Sequence, residues 1–250
     1  MPAASCSAKI HVLPDDVVSR IAAGEVVERP AAVVKELLEN SLDAGGLHIT
    51  VDVKDGGLTL IRVTDDGEGI SRTDLPMAFQ RHATSKLRSD RDLTSVTTMG
   101  FRGEALPSIA SVSHVLVTTA TRQDKVGAQL TLVGGAGGAI ADAAAVPGTK
   151  IEVSNLFFNQ PARKKFLKTT TTEFSHISHV VQLAGLAWPS VHFRLTHNGQ
   201  EILNYPAVSS DRDRILQVYR PAFLDRTVEV RGRATGLSIR GVMVLSLIHI

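Results

Sequence analysis

The sequence predicts a globular fold that mixes helices with strands, and three observations carry that expectation. Two hairpin signals, Asp55-Gly56-Gly57 and Asn198-Gly199, each join a pair of strand-like runs. Long helical patterns occupy residues 31–44 and 172–187. Hydrophobic residues make up 43% of the chain and aromatics 4%, a composition that suits a packed core rather than disorder. A chain of 250 residues forms one large domain or two modest ones. Folding buries roughly 70% of its extended surface, so no covalent staple is needed.

In chain order, residues 1–9 are small and polar and read as a loose arm. Pro14-Asp15-Asp16 opens a short helix to about Ala23, with acidic residues in its first turn. Pro30 suits the first position of the next helix, residues 31–44. Val34, Leu37, Leu38, Ser41 and Leu42 form one stripe of it, and Glu36, Asn40 and Asp43 another. Gly45-Gly46 ends it. Strands are expected at 48–53 and 58–63, then a second turn at Asp65-Asp66-Gly67-Glu68-Gly69. Residues 73–81 read as a short helix and 84–98 as a mobile loop without period. Gly100 to Gly103 lead into a helix at 104–111, whose first turn tolerates Pro107 because no intrahelical N–H is lost there. Strands follow at 115–121, 128–133 and 150–153, with a Gly/Ala-rich loop at 134–145. The helix at 172–187 ends before Pro189, and strands at 192–196 and 201–205 flank the second hairpin turn. From Asp211 the pattern restarts with a helix and strands at 227–231 and 237–244. The expected division is a first domain at 1–207, with 1–13 as its mobile arm, and the start of a second at 208–250. Residues 243–250 are strongly apolar without turn or cap. So few residues cannot complete a domain, and a chain cut short within it is expected.

Charge and cysteine content exclude several classes. The net charge is +2, from 27 basic and 25 acidic residues, which fits neither an acidic tail protein nor a strongly basic nucleic-acid coat. Cys6 is the single cysteine, so neither an intramolecular disulfide nor a two-cysteine zinc ribbon can form. No apolar run reaches the roughly 18 residues of a membrane span, and no signal-peptide pattern opens the chain. The expected setting is reducing and cytoplasmic, with no membrane partner.

Four short patterns carry chemistry. Glu36 and Asn40 project from one helix face. An amide oxygen can ligate a hard cation such as Mg²⁺, and a neighbouring carboxylate can take a proton from an attacking water. Taken alone, the pair reads more simply as a solvated helix face. Gly67 and Gly69 would let backbone approach a flat ligand, and an ionised Asp65 would accept from an exocyclic amine. Taken alone, that is an acidic turn. Gly100-Phe101-Arg102-Gly103-Glu104-Ala105-Leu106 places free N–H groups at a helix start, an anion site. Neither a Walker A loop nor a dinucleotide Gly-x-Gly-x-x-Gly is present. Gly148-Thr149 offers a hydroxyl at a strand start.

Together and in this order, these patterns resemble the motif set of the GHKL (Bergerat-fold) ATPases. The likeness narrows at Ile21-Ala22-Ala23-Gly24-Glu25-Val26-Val27-Glu28-Arg29-Pro30 and Lys35-Glu36-Leu37-Leu38-Glu39-Asn40-Ser41-Leu42-Asp43-Ala44. Arg81-His82-Ala83-Thr84-Ser85-Lys86, Gly100 through Leu106, and Phe157-Phe158-Asn159 with Pro161-Ala162-Arg163-Lys164-Lys165-Phe166-Leu167 extend it. These segments resemble the MutL mismatch-repair family, and the likeness covers residues 10–244. It implies an α+β two-layer sandwich, with helices over one face of a mixed sheet. A transducer domain of ribosomal S5-like type would follow. It implies ATP and Mg²⁺ as cofactors. Glu36 resembles the general base and Asn40 the Mg²⁺ ligand. Asp65 resembles the reader of the adenine amine, assisted by Thr149. Thr84, Ser85 and Lys86 resemble a nucleotide-contacting stretch on the lid, and Gly100, Phe101, Arg102, Gly103, Glu104, Ala105 and Leu106 the phosphate nest. ATP-driven homodimerisation is implied as a switch. The partners implied are the mismatch-recognition protein MutS, a strand-nicking endonuclease and a helicase, with weak, largely non-specific DNA binding.

Departures from the family pattern are Asp66 for a common Asn, Gln160 for a common Thr, and Pro107 for a small residue. The family's lysine on the γ-phosphate belongs to the second domain and lies beyond this chain. Arg163-Lys164-Lys165 with Lys168 reads either as a DNA contact or, more simply, as a solvated helix start. His176 and His179 lack a third metal ligand nearby and read as surface positions. Two other classes remain: another GHKL protein, such as a type II topoisomerase ATPase subunit or a sensor kinase, and a non-hydrolysing interaction module. Intact Glu36, Asn40 and Asp65 argue against the latter.

Overall fold

Residues 26–86, 98–219, 221 and 227–244 are described by the computed structural model. The arm at 1–13, the helix expected at 14–23 and most of the loop expected at 84–98 lie outside the described residues.

Helix α1 spans Pro30–Asp43 with Pro30 in its first turn. Val34, Leu37, Leu38 and Ser41 of the expected stripe are buried and Leu42 is half-buried, while Val33, outside the stripe, is buried as well. Its end is closed by Ala44 N–H on the Asn40 carbonyl and by Gly45 at φ +72° with its N–H on Leu42. Strands β1 (His48–Lys54) and β2 (Leu60–Asp65) pair antiparallel with Val51 opposite Val63. The turn between them has Asp55, Gly56 and Gly57 all at positive φ.

The helix expected at 73–81 is replaced by turns and a single 3₁₀ turn, Met77–Phe79. Ser71 Oγ bonds the Asp74 carboxylate and accepts the Asp74 N–H, which competes with helical pairing. Pro76 lacks an N–H, and Gln80 is extended.

Helix α2 (Ala105–Ser111) precedes strands β3 (His114–Ala120) and β4 (Gly127–Val133). The loop expected at 134–145 carries two short strands, β5 (Ala136–Gly137) and β6 (Ala141–Ala143), which fold back on β4. Their Gly and Ala residues are mostly exposed and show no alternation, so pairing rests on backbone alone. Strand β7 (Gly148–Ser154) follows, then helices α3 (Pro161–Phe166) and α4 (Thr170–Ala187). Thr169 Oγ1 caps α4 by accepting the Thr172 N–H. Strands β8 (His192–His197) and β9 (Gln200–Tyr205) form the second predicted hairpin, with Asn198 and Gly199 both at positive φ. Helix α5 (Asp211–Val218) packs on α4 and β9. Strands β10 (Thr227–Ala234) and β11 (Leu237–Val244) pair with one another in a separate two-stranded sheet.

The main sheet runs β5-β4-β3-β7-β2-β1-β8-β9, with β6 also on β4. The β1–β8 pair is parallel and the others antiparallel, so the sheet is mixed. One face is apolar: Ile49, Val51, Val53, Ile61, Val63, Val115, Val117 and Val153 are buried with residues of α1 and α4 in one core. The opposite face carries polar side chains, including Arg62 between Glu152 (3.0 Å) and Asp52 (3.8 Å). This is the expected α+β two-layer sandwich. No helix among the described residues is long and apolar enough to cross a membrane.

Candidate functional site

A cleft of about 1020 Å³ opens between α1, the end of β2, the start of β7 and the glycine stretch before α2. Every residue predicted for the site lines it except Gly67.

Asp65 forms the floor, 9% exposed. Its Oδ2 accepts from Ser41 Oγ at 2.7 Å, and its Oδ1 from the N–H groups of Gly67 at 3.0 Å and Thr149 at 3.2 Å. Burial pushes the Asp65 carboxyl above its ordinary value; those three hydrogen bonds oppose the rise and the Asp66 charge adds to it. A carboxylate has about four acceptor positions. Three are used, which leaves one for an incoming N–H donor. Thr149 Oγ1 stands 3.1 Å from Thr119 Oγ1, which also donates to the Gly148 carbonyl and accepts from the Ile70 N–H. Gly148, at φ +114°, passes against the Asp65 carbonyl where a Cβ has no room.

Gly67 holds the floor rather than facing the cleft: its N–H grips Asp65, and its Cα lies against Ala44. Asp66 turns outward to the start of β1. It accepts from the Leu47 N–H (2.7 Å), the His48 N–H (2.8 Å) and His48 Nδ1 (2.6 Å). Desolvation raises its pKa, but these bonds outweigh it and hold the group below its ordinary value. The departure from Asn at this position therefore places no side chain in the cleft and reaches it only through the charge that Asp66 sets beside Asp65.

The polar wall is the second stripe of α1. Lys35 Nζ lies 3.3 Å from Glu36 and 2.8 Å from Glu39. Asn40 Oδ1 accepts from Lys86 Nζ at 3.0 Å, and Asp43 Oδ2 from the same ammonium at 2.6 Å. Asp43 also accepts from the Met99 N–H (3.0 Å) and the Gly100 N–H (3.2 Å). Desolvation raises the Asp43 pKa, but these partners outweigh it and the group sits below its ordinary value. Asp43 was placed on this stripe by its spacing but not assigned to the site. Its long-range partners are what make it a site residue. An oxygen donor set already filled by a cationic ammonium suits a hard cation such as Mg²⁺.

The third wall is Gly100 to Leu106. Gly103, at φ +63°, leaves no room for a Cβ against the Ala83 carbonyl, and its own carbonyl accepts the His82 N–H at 3.1 Å. This brings the stretch around Thr84, Ser85 and Lys86 against the start of α2. The Arg102 guanidinium stacks over Phe101 at 5.6 Å. Away from the cleft, His176 and His179 are exposed on α4, and Arg163 donates to the Val27 carbonyl.

The model of a family described as histidine kinase-, DNA gyrase B-, and HSP90-like ATPase matches residues 28–136. DNA mismatch repair protein MutL of Solibacter usitatus is 50% identical over 229 residues, covering 92% of this chain and 35% of its own length. MutL of Parabacteroides distasonis is 47% identical over 232 residues, covering 93% and 38%. The chain thus spans about a third of the length of these curated relatives. Among solved structures, the Aquifex aeolicus MutL ATPase domain complexed with ADP is 33% identical with a TM-score of 0.66, covering 83% of this chain and 73% of that one. The N-terminal domain of a DNA repair protein is 28% identical with a TM-score of 0.75, covering 90% and 70%. Likeness in sequence and likeness in fold agree, and the chain belongs to the MutL DNA mismatch-repair family, carrying its GHKL ATPase region.

Proposed function

We propose that this chain binds ATP with Mg²⁺ and hydrolyses it as the nucleotide switch of MutL-type mismatch repair. The observation that carries the reading is one cleft holding two features: a buried carboxylate with one free acceptor position, and a carboxylate–amide pair on the facing wall. Asp65 would accept from the adenine amine, with Thr149 beside it. Backbone N–H groups from Gly100 to Leu106 would hold the phosphates, with Thr84, Ser85 and Lys86 closing on the nucleotide. Asn40 would hold Mg²⁺, which supplies neutralisation of phosphate charge when bound. Glu36 would take the proton of the water that attacks the γ-phosphate. The Aquifex relative bound to ADP supports a nucleotide in this cleft.

The rest of the reading follows from membership of the family. ATP would drive association of two copies. The dimer would pass recognition by MutS to a nicking endonuclease and a helicase, in the cytoplasm and on DNA held weakly and without sequence preference. Residues 208–250 would begin the transducer domain, of which β10–β11 is the part that pairs apart from the main sheet.

Calorimetric titration of a non-hydrolysable ATP analogue with Mg²⁺ into the 250-residue chain tests the reading. Micromolar-range binding is expected. No binding by a chain shown to be folded by circular dichroism would overturn it. In a version extended through the transducer domain, Glu36→Ala should retain binding and lower single-turnover hydrolysis about 10²–10⁴-fold. An unchanged rate would remove Glu36 from its role.

A further inference from the structure

Lys86 is placed unlike an ordinary surface lysine. Its side chain is 19% exposed and its ion-pair partner Asp43 only 8%. The ammonium bridges Asp43 Oδ2 at 2.6 Å and Asn40 Oδ1 at 3.0 Å. A Cβ built on Gly100 would stand 3.3 Å from Nζ, so the charge also lies against the start of the glycine stretch. The oxygen it occupies on Asn40 is the one expected to face Mg²⁺. A divalent cation sits about 2.1 Å from such an oxygen. It cannot share the amide with an ammonium at hydrogen-bond distance, because two cations would then lie within a few ångströms at low solvent exposure.

We propose that Lys86 is an internal counter-ion, which fills the cation position of the metal-free site and is exchanged for the divalent cation when metal and nucleotide load. The inference rests on the reading of the cleft as a Mg²⁺–nucleotide site and adds how its oxygens are neutralised before metal and nucleotide load. With the ammonium in place, Asp43 and Asn40 are neutralised without metal. Asp43 then ties α1, residue 86 and the Met99 and Gly100 backbone into one cluster. Metal entry expels a like charge from the oxygens it takes. The freed ammonium remains in a cleft whose incoming ligand is polyanionic. Bare metal therefore meets a closed position, and the exchange lowers its apparent affinity by the fraction of molecules in which Lys86 has left.

The test is Mn²⁺ binding to the nucleotide-free 250-residue chain, read by electron paramagnetic resonance of the free ion. Lys86→Met should bind Mn²⁺ about tenfold or more tightly than wild type, since one positive charge no longer competes. Lys86→Arg, which keeps the charge, should stay near wild type. Adding Asn40→Ala to Lys86→Met should abolish the gain. Unchanged affinity in Lys86→Met, or a gain that survives Asn40→Ala, would overturn the proposal. Lys86→Gln, which keeps donors to Asp43 and Asn40 without charge, supplies the same comparison should the methionine variant fail to fold. Wild-type titration with ADP and Mg²⁺ runs alongside. Failure there alone discards the nucleotide reading, whereas failure of the Mn²⁺ series alone discards the exchange.

Discussion

Asp65 and Asp66 are neighbours in sequence with opposite surroundings. Asp65 points into the cleft floor and is raised by burial, whereas Asp66 points to the start of β1 and is lowered by three hydrogen bonds. Asp65→Asn replaces one acceptor oxygen by a donor, and calorimetry should show nucleotide binding weakened about 10- to 100-fold, the usual span for a hydrogen bond to a charged group. Asp66→Asn should leave it within about twofold, because its contacts lie outside the cleft. Asp43 makes a pH prediction. Its folded pKa lies below its unfolded value of about 3.9, so its ionised form adds stability above that pH, and this is lost as pH falls through the folded pKa. The stability advantage of wild type over Asp43→Asn in urea titrations should therefore be full at neutral pH and shrink below about pH 3.9. A constant difference from pH 3 to 7 would contradict it. At this scale the sequence shows the Glu36–Asn40–Asp43 stripe, because helical period fixes it. It does not show Lys86 on Asn40, a contact between distant segments set by tertiary packing. Nor does it show that Gly67 supports the floor instead of lining the cleft.

Elements place these groups by fixed close approaches. Strand β7 enters the sheet between β2 and β3 with Gly148 against the Asp65 backbone. Gly148→Ala needs a Cβ at φ +114° with no space, so chemical denaturation should show a loss of about 1–3 kcal/mol, accompanied by weaker nucleotide binding. Helix α5 is held by Arg214, which is fully buried against backbone carbonyls. Its guanidinium donates to the carbonyls of Tyr205 (2.9 Å), Pro189 (2.8 Å) and Val191 (2.6 Å). Arg214→Met would leave three carbonyls without that donor, costing about 3 kcal/mol or more. That corresponds to a melting temperature lower by about 6–12 °C in a domain of this size. The long amphipathic helix and the two hairpins were legible because period and turn chemistry agree there. The 3₁₀ turn at Met77–Phe79 was not, because side chains of Ser71 and Asp74 take up the backbone pairing. Strands β5 and β6 were not, because Gly and Ala leave no alternation to read.

For the whole molecule, the two-layer arrangement puts α1 and α4 on the apolar face and leaves ion pairs such as Arg62–Glu152 on the other. The cleft lies at the end of the central strands β2 and β7, where both the core and the hydrogen-bond network terminate. A bound nucleotide therefore acts on the global equilibrium. At a free concentration 100 times its dissociation constant it should stabilise the chain by about 2.7 kcal/mol in thermal unfolding, and at the same concentration Asp65→Asn should cut that gain to about 0.4–1.4 kcal/mol.

The parallel pairing of β1 with β8 sets an order of events during synthesis. His48 shares a register with His192, so the sheet stays open at β1 until β8, about 140 residues later in the chain, has left the ribosome. The cleft-lining residues emerge well before that. A nascent chain holding all of them still exposes the edge of β1, and contacts of such long sequence separation form slowly. Nucleotide capture should thus wait for β8 to emerge and pair, and the exposed edge marks this stage as the one at which a chaperone is most needed.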